Sequence, residues 1–598
     1  MSVPIKTNQL TYMFDKELFS KNYDIFCIRT SEKHFKNGAY IIDAPLLSNN
    51  VCSVLFKSGR EIFVLMKSNG SNKSLLKNAI LKKDGADRIT ISQVTPNSLK
   101  DDIVFQLMLN SLGNYESPLL KFNNLTGHLY CFHPNWLIRG RKSEADVVFK
   151  VPCLELRLSS EFRLNMEVHT FTSELLRNKI EFKKKKFDEY PKYIFSAHNT
   201  LRRKLKDDVG YSFIMRQTKN AKTEIAFLDI QNIDRFNPSK MGILTTVLEN
   251  FNDRFSSIAH LDFESITDYK ALDYTRSVAN ENKQAISDLL SIKPIKIVDC
   301  IDDEYSKIFC KEICDLLLSK YGIKTSCGKR VAKDHLNIRV IHNAAFYADS
   351  DDPHRIFNDV AVQHITFEDF SECSEFAIST VIHEMLIKAD LVKQKISLFD
   401  WNTLGLKDDI DFGIEVTDEQ NTKYIFMTIH PDGTFNISEQ TLNLFEANKY
   451  NQCVEIFENA KMNSVKVHGI IRDALGNINI IKDTEWFTIP EIYSIKAELA
   501  NGNTKLRGKE KRNELLSSCL DIKMFNDGVS EYYFVGTIGN GMRWLINRAA
   551  NIRKIEPFED SILMFEKLLP LMNVTFVHNG QLTIIPFPFK YLREHLNK

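Results

Sequence analysis

The sequence predicts a multidomain α/β protein, and three observations carry that expectation. A chain of 598 residues exceeds what one hydrophobic core supports, so roughly three or four domains are expected. The first part of the chain holds short β-prone runs, whereas from residue 291 strands and amphipathic helices alternate, as a parallel sheet with crossover helices requires. The hydrophobic content of 43% with 26% charged residues is that of a globular chain, and 41 Phe with 19 Tyr are enough to fill several cores.

Residues 1–155 are expected to form a strand-rich N-terminal domain, because YDIFCIRT, VCSVLF, REIFVLMKS and DRITISQV are separated by Gly, Asn, Ser and Lys. GHLYCFHPNWLI continues the pattern. VPCLELRLSSEFRLNMEVHTF alternates so regularly that it reads as a long sheet edge or a strand bridging domains. Residues 156–290 read as a linker region, with charged helices in TSELLRNKIEFKKKKFDEY and KMGILTTVLENFNDRFSSI on either side of a strand, TEIAFLDI. Residues 291–400 form the third segment. It opens on the strand IKIVDC, continues with a helix that stops at Gly322, and follows with NIRVIH, VAVQHITF and the helix SEFAISTVIHEMLIKADLVKQ. The last segment, 401–598, contains the strands DFGIEV, KYIFMTIHPDGTFNIS and KVHGIIRDALGNINIIKDTEW, two of them interrupted by turn signals at Asp432-Gly433 and Leu475-Gly476-Asn477. Helices over 489–515, a strand EYYFVGTIG, a helix from about 540, a helix over 558–571 and a hairpin in VTFVHNGQLTIIPFPF complete the expected order.

A net charge of +1 does not point to a polyanion; of the four local basic runs, 183–186, 201–206, 328–333 and 505–512, each taken singly reads as a solvated face, and only their number adds to the case for a polyanion partner. The eleven cysteines lack a disulfide-like pattern, and Cys310 and Cys314 read as reduced, buried thiols of a cytosolic protein. The N-terminal stretch has no signal-type apolar core and no 18-residue apolar run occurs, so the chain is expected to be cytoplasmic, neither exported nor membrane-spanning.

HEMLIK at 383–388 begins like a zinc-protease helix, yet Ile387 stands where the second imidazole would be, so that metal site cannot form locally. GTIGNG at 536–541 has glycines spaced like a phosphate loop, without the lysine of a P-loop, and reads as a turn. More informative is the stretch DPHRIFNDVAVQHITFEDF, in which a strand destined for the core carries Gln363 and His364. Gln363 can donate an amide N–H, Arg355 can make a bidentate contact, and Lys388 on the following helix offers a compact charge, a set suited to a terminal phosphate. Gln363 is expected at the carboxyl end of its strand, where parallel sheets bind ligands. His364 points to the other face and reads as structural.

The run 291–400, with DPHRIFNDVAVQHIT followed by VIHEMLIKADLVKQKISLFDW, resembles the MID domain of prokaryotic Argonautes, which binds the 5′ end of a guide strand through a Tyr–Lys pair, a Gln and a helical Lys. Gln363 and Lys388 match that pattern. His354 and Arg355 stand where family members often carry Tyr and Lys; an imidazole can stack on the first base and a guanidinium can hold phosphate. FNNLTGHLYCFHPNWL with CLELRLSSEFRLNMEVHTF resembles the N domain and first linker, and 411–598, ending LTIIPFPFKYLREHLNK, resembles a PIWI domain; no PAZ-like block stands between them. The resemblance implies a strand-rich N domain, a Rossmann-like MID domain and an RNase H-like PIWI domain. It further implies a short 5′-phosphorylated guide, DNA rather than RNA, and a complementary target DNA. The guide's phosphate would be held by His354, Arg355, Gln363 and Lys388, and its backbone by Arg543, Arg548 and Lys590.

Slicing by such a fold needs carboxylates around two Mg²⁺ ions. Glu415 and Asp473 are the candidates, Asp473 standing in a sequence resembling the family's Arg-Asp-Gly element with Ala474 in place of Gly. No partner glutamate can be placed, so the expected protein binds a guide without cutting, needs no catalytic metal, and hands the target to a helicase–nuclease in bacterial plasmid defence. Mg²⁺ at the guide's 5′ end is the one metal the resemblance allows. The alternatives are an active guide-directed endonuclease, a sensor activating a toxic effector, and an α/β interaction scaffold without nucleic acid.

Overall fold

A computed structural model describes residues 4–35, 51–68, 88–114, 117–142, 145–180, 186–195, 200–219, 224–272, 286–343, 345–347, 359–368, 375–417, 422–440, 448–463, 465–502, 514–516, 522–535, 551–572 and 586–596, with a few single positions such as Asp43 and Phe357. The chain divides into two compact units. One comprises Met1–Thr267, Glu485–Cys519 and Met542–Ala550, the other Asp268–Thr484, Leu520–Gly541 and Asn551–Lys598. Among the described residues no helix is long and apolar enough to cross a membrane.

The first unit is built on antiparallel sheets. Val51–Ser58, Glu61–Lys67, Tyr23–Thr30 and Ile89–Val94 form a four-stranded sheet in that order, with Phe26, Ile28, Val54, Ile62 and Val64 in its core. A larger sheet centres on the hairpin of Ala145–Leu158 and Leu164–Ser173, paired from Leu164↔Leu158 to Thr172↔Lys150. The regular alternation in that segment therefore belongs to two paired strands, turned by Phe162 at φ +59°, and the expected boundary after residue 155 falls inside the first of them. His128–Phe132 pairs on its other side through Tyr130↔Glu155.

Two expected elements of the linker region are absent among the described residues. TSELLRNKIEF yields only the 3-10 turn Glu174–Lys179, because Ile180 is drawn into the core and bridges Thr218. TEIAFLDI forms no ladder; its side chains Ile225, Phe227 and Leu228 are buried, and its Ala226 and Phe227 carbonyls accept from the N–H groups of Lys240 and Met241 at 2.8 and 3.0 Å. The segment thus satisfies the start of the helix Lys240–Arg254, which forms as expected behind its Ser239 cap.

In the second unit Ser326–Gly328, Ile295–Asp299, Leu336–Ile341 and Val362–Thr366 make a parallel sheet in that order. The helix Glu304–Tyr321 is started by Asp303, whose Oδ1 accepts from Ser306 N at 2.6 Å, and ended by Gly322 at φ +70°, a conformation without steric cost only for glycine. A second sheet contains, in order, Ile478–Ile489, Val467–Asp473, Ile410–Thr417, Thr422–Ile429 and Phe435–Gln440. The two turn signals are hairpin turns, with Gly433 at φ +80° and Gly476 at φ +90°. The helix expected over 558–571 is confined to Phe565–Met572, since Phe558 N and Met564 N are held by Ile478 O at 2.8 Å and Asn479 Oδ1 at 2.9 Å. The expected helix near 540 and the residues 573–585 of the closing hairpin lie outside the described residues.

The helix Pro588–Leu596 is locked onto the second sheet through Gly469, where an added Cβ would lie 2.4 Å from Cε1 of the fully buried Phe589. Gly469→Ala is expected to destabilise the protein by about 1–3 kcal/mol, the usual cost of overpacking. Denaturant unfolding checks it: an unchanged midpoint would show that the ring moves aside freely.

Candidate functional site

The strand Val362–Thr366 lies at the edge of the parallel sheet, with Gln363 opposite Ile338. Gln363 is the second residue of that strand, so it sits at the amino end and not at the carboxyl end as expected. The helix Glu375–Lys393 that follows the strand meets this end of it through Glu384, at the middle of the helix. Its Ile378, Ile382, Met385 and Leu386 are buried in the core. Glu384 and Lys388, one turn apart, share a face and remain half-buried.

Gln363 Nε2 donates to Glu384 Oε2 at 2.8 Å, while Gln363 Oε1 is shielded from solvent without a hydrogen-bond partner. The helix Pro588–Leu596 adds Lys590, whose Nζ lies 3.9 Å from Glu384 Oε1 and 3.0 Å from Glu594 Oε1. Tyr591 anchors this helix, its hydroxyl donating to the buried Asp390 at 2.7 Å. Burial lowers the proton affinity of Lys388 against the pull of Glu594 and Glu384. Burial and the Glu594 charge raise that of Glu384. The structure therefore brings Gln363, Lys388 and Lys590 into one cluster, with Lys590 beside the other two and not on a separate track. His354, Arg355, Arg543 and Arg548 lie outside the described residues, as do GTIGNG and the basic stretch after it. His364 Nε2 lies 3.0 Å from Arg339, and His383 is desolvated to a pKa of about 4.

No family model and no curated protein matches the chain. Solved structures resemble it, among them one over nearly its whole length. The Argonaute of Marinitoga piezophila, in complex with a 5′-OH guide RNA, is 9% identical with a TM-score of 0.38, covering 98% of this chain and 97% of that one. A likeness of that size does not establish a shared fold.

The second sheet carries a buried carboxylate that sequence reasoning passed over. Asp411, the first residue of the run DFGIEV, is 3% exposed. Its Oδ1 accepts from Lys449 Nζ at 2.9 Å, Thr428 Oγ1 at 2.5 Å and Tyr450 OH at 3.1 Å, and its Oδ2 from Arg472 Nη1 at 3.1 Å. Arg472 is delivered by register, being directly opposite Asp411 on the neighbouring strand. The signal available in the sequence was an Asp set between Ile410 and Phe412 in an apolar strand, where burial demands a partner. Glu415 and Asp473 are not brought together. Asp473 pairs opposite Ile410, which places Glu415 about 16 Å further along the strand. Glu415 lies 3.4 Å from Lys461, and Asp473 accepts from Asn477 N and Nδ2, both at 2.9 Å, within its own turn.

Proposed function

We propose that this chain binds a short 5′-phosphorylated guide strand through the cluster of Gln363, Lys388 and Lys590, and recognises complementary DNA without cutting it. The convergence of these three side chains from a strand, the following helix and a distant helix carries the reading. The oxyanion they hold now is the carboxylate of Glu384, whose raised proton affinity marks it as a poorly stabilised anion. A terminal phosphate brings about −1.5 to −2 of charge and so competes favourably for the same donors. His354 and Arg355 complete the proposed phosphate and base contacts, and Arg543 and Arg548 the backbone contacts.

The absence of cutting is supported by the donors around Asp411, which occupy the lone pairs that Mg²⁺ would need. It is supported as well by the separation of Glu415 from Asp473. Mg²⁺ at the guide's end does not fit the residues as they stand, since the Lys590 ammonium already bridges the carboxylates of Glu384 and Glu594. On the strength of its overall arrangement, a long N-terminal region ahead of MID- and PIWI-like segments without a complete set of catalytic carboxylates, the chain acts in the cytoplasm like DdmE, the inactive Argonaute-like partner of the helicase–nuclease DdmD in plasmid defence, with DNA as its guide. A competing reading, a structural ion-pair cluster in an interaction scaffold, draws on the pairing of two lysines with two glutamates in the cluster.

Fluorescence anisotropy with matched DNA and RNA oligonucleotides decides between them. The 5′-phosphorylated strand is expected to bind at least about tenfold more tightly than its 5′-hydroxyl counterpart, as one charge-assisted hydrogen bond allows, and more weakly as salt rises. Equal affinities would remove the phosphate pocket, and no binding at all would favour the scaffold.

A further inference from the structure

The first unit carries a cluster of its own. Tyr130, Glu155 and Glu167 lie in a row across three neighbouring strands, because Tyr130 pairs with Glu155 and Glu155 with Glu167. His128 and His169 are each two residues from a member of that row and so share its face. Glu155 is 5% exposed at the margin of the apolar cluster of Tyr130, Cys153 and Phe171. A carboxylate placed there requires compensation. His169 Nε2 lies 2.7 Å from Glu155 Oε2 and 3.7 Å from Glu167 Oε2, and His128 Nδ1 lies 3.2 Å from Glu155 Oε1.

From this geometry we infer a binding site for a divalent transition metal, of the class of Zn²⁺, with Glu155, Glu167 and His169 as ligands. One ligand atom from each lies within 4.8 Å of the others. Tetrahedral Zn²⁺ with bonds of about 2.0–2.2 Å holds its ligand atoms roughly 3.3 Å apart, and the spacings of 2.7 and 3.7 Å bracket that value. His169 Nε2 is screened from solvent and faces the Glu155 carboxylate at 2.7 Å, so an ion entering between them takes the nitrogen's lone pair in place of that contact. His128 holds the second oxygen of Glu155 and orients it, the part that outer-shell partners play around metals. Arg157 lies 3.5 Å from Glu155 Oε1 and competes for the carboxylate, but its side chain is 56% exposed and can swing into water. Glu167, 64% exposed, forms the mouth through which an ion enters.

The test is titration of the full chain with Zn²⁺ against a chromophoric chelator, with Co²⁺ absorption as a second readout. The wild type is expected to take up one ion, and to do so better as pH rises and the histidine loses its proton. His169→Gln is expected to weaken binding by about 100-fold and Glu167→Gln, at the exposed mouth where folding is least at risk, by about tenfold. Cys314→Ser with Cys327→Ser is the control, since those sulfurs lie 3.4 Å apart and could also take Zn²⁺; it is expected to change nothing. Loss of uptake in the cysteine variant, retention in both ligand variants, or no uptake by the wild type would each overturn the assignment.

Discussion

Replacing Gln363 and Lys388 together by alanine is expected to lower the affinity for a 5′-phosphorylated strand by about 10- to 100-fold. Each hydrogen bond to a charged partner contributes roughly 1.5–3 kcal/mol, and part of that is offset here by release of Glu384. The 5′-hydroxyl strand is expected to lose far less, because its affinity would come from backbone contacts elsewhere. Anisotropy titrations of the two strands against the variant measure the difference directly. Equal losses would mean that the double change damages the fold or that the pocket lies in another place. Glu384→Gln separates these outcomes: it removes the competing anion while keeping an acceptor for Gln363 Nε2, and tighter binding of the phosphorylated strand is expected.

Asp411→Ala should produce the largest loss of stability. The substitution removes the carboxylate that Lys449, Thr428, Tyr450 and Arg472 all address. Breaking a buried pair by deleting one partner costs about 3–5 kcal/mol, because a desolvated charge is left uncompensated. The Lys449 side chain is 44% exposed and can turn to solvent, whereas that of Arg472 is 19% exposed and cannot do so as easily. A loss of about 2–4 kcal/mol is therefore expected. Asp411→Asn, which retains an acceptor for Thr428 and Tyr450, should lose less. Equilibrium denaturation of the three proteins checks the order; an Ala variant as stable as the parent would show that the cage is not what holds this part of the sheet. Guide-directed cleavage by the parent in Mg²⁺ or Mn²⁺ would contradict the non-cutting reading independently of stability.

Much of the second unit was legible because its signals are short-range. Asp303 and Gly322 mark the two ends of one helix, and Asp432-Gly433 marks a hairpin turn between Thr422–Ile429 and Phe435–Gln440. The pairing of Gln363 with the helix of Lys388 was legible for a related reason: an apolar helix that directly follows a buried strand packs back against it. What the periodicity could not say was which end of the strand the returning helix would reach. It also misread TEIAFLDI, whose apolar residues are buried as a strand's would be but whose carbonyls serve a helix start.

The alternation of strand and helix from 291 onward, and with it Gln363 and Lys388 as neighbours, follows from the order of residues alone. Only the tertiary structure decided that Lys590, Glu384 and Glu594 share their cluster, that Arg472 and Lys449 close on Asp411, and that Glu155 sits between two histidines. The physical reason is the same in each case. Helical and strand periodicities are set by backbone geometry over a few residues, whereas the meeting of distant side chains depends on sheet register and on how a helix seats in the core, and a shift of one residue in register would turn each of these groups to the opposite face.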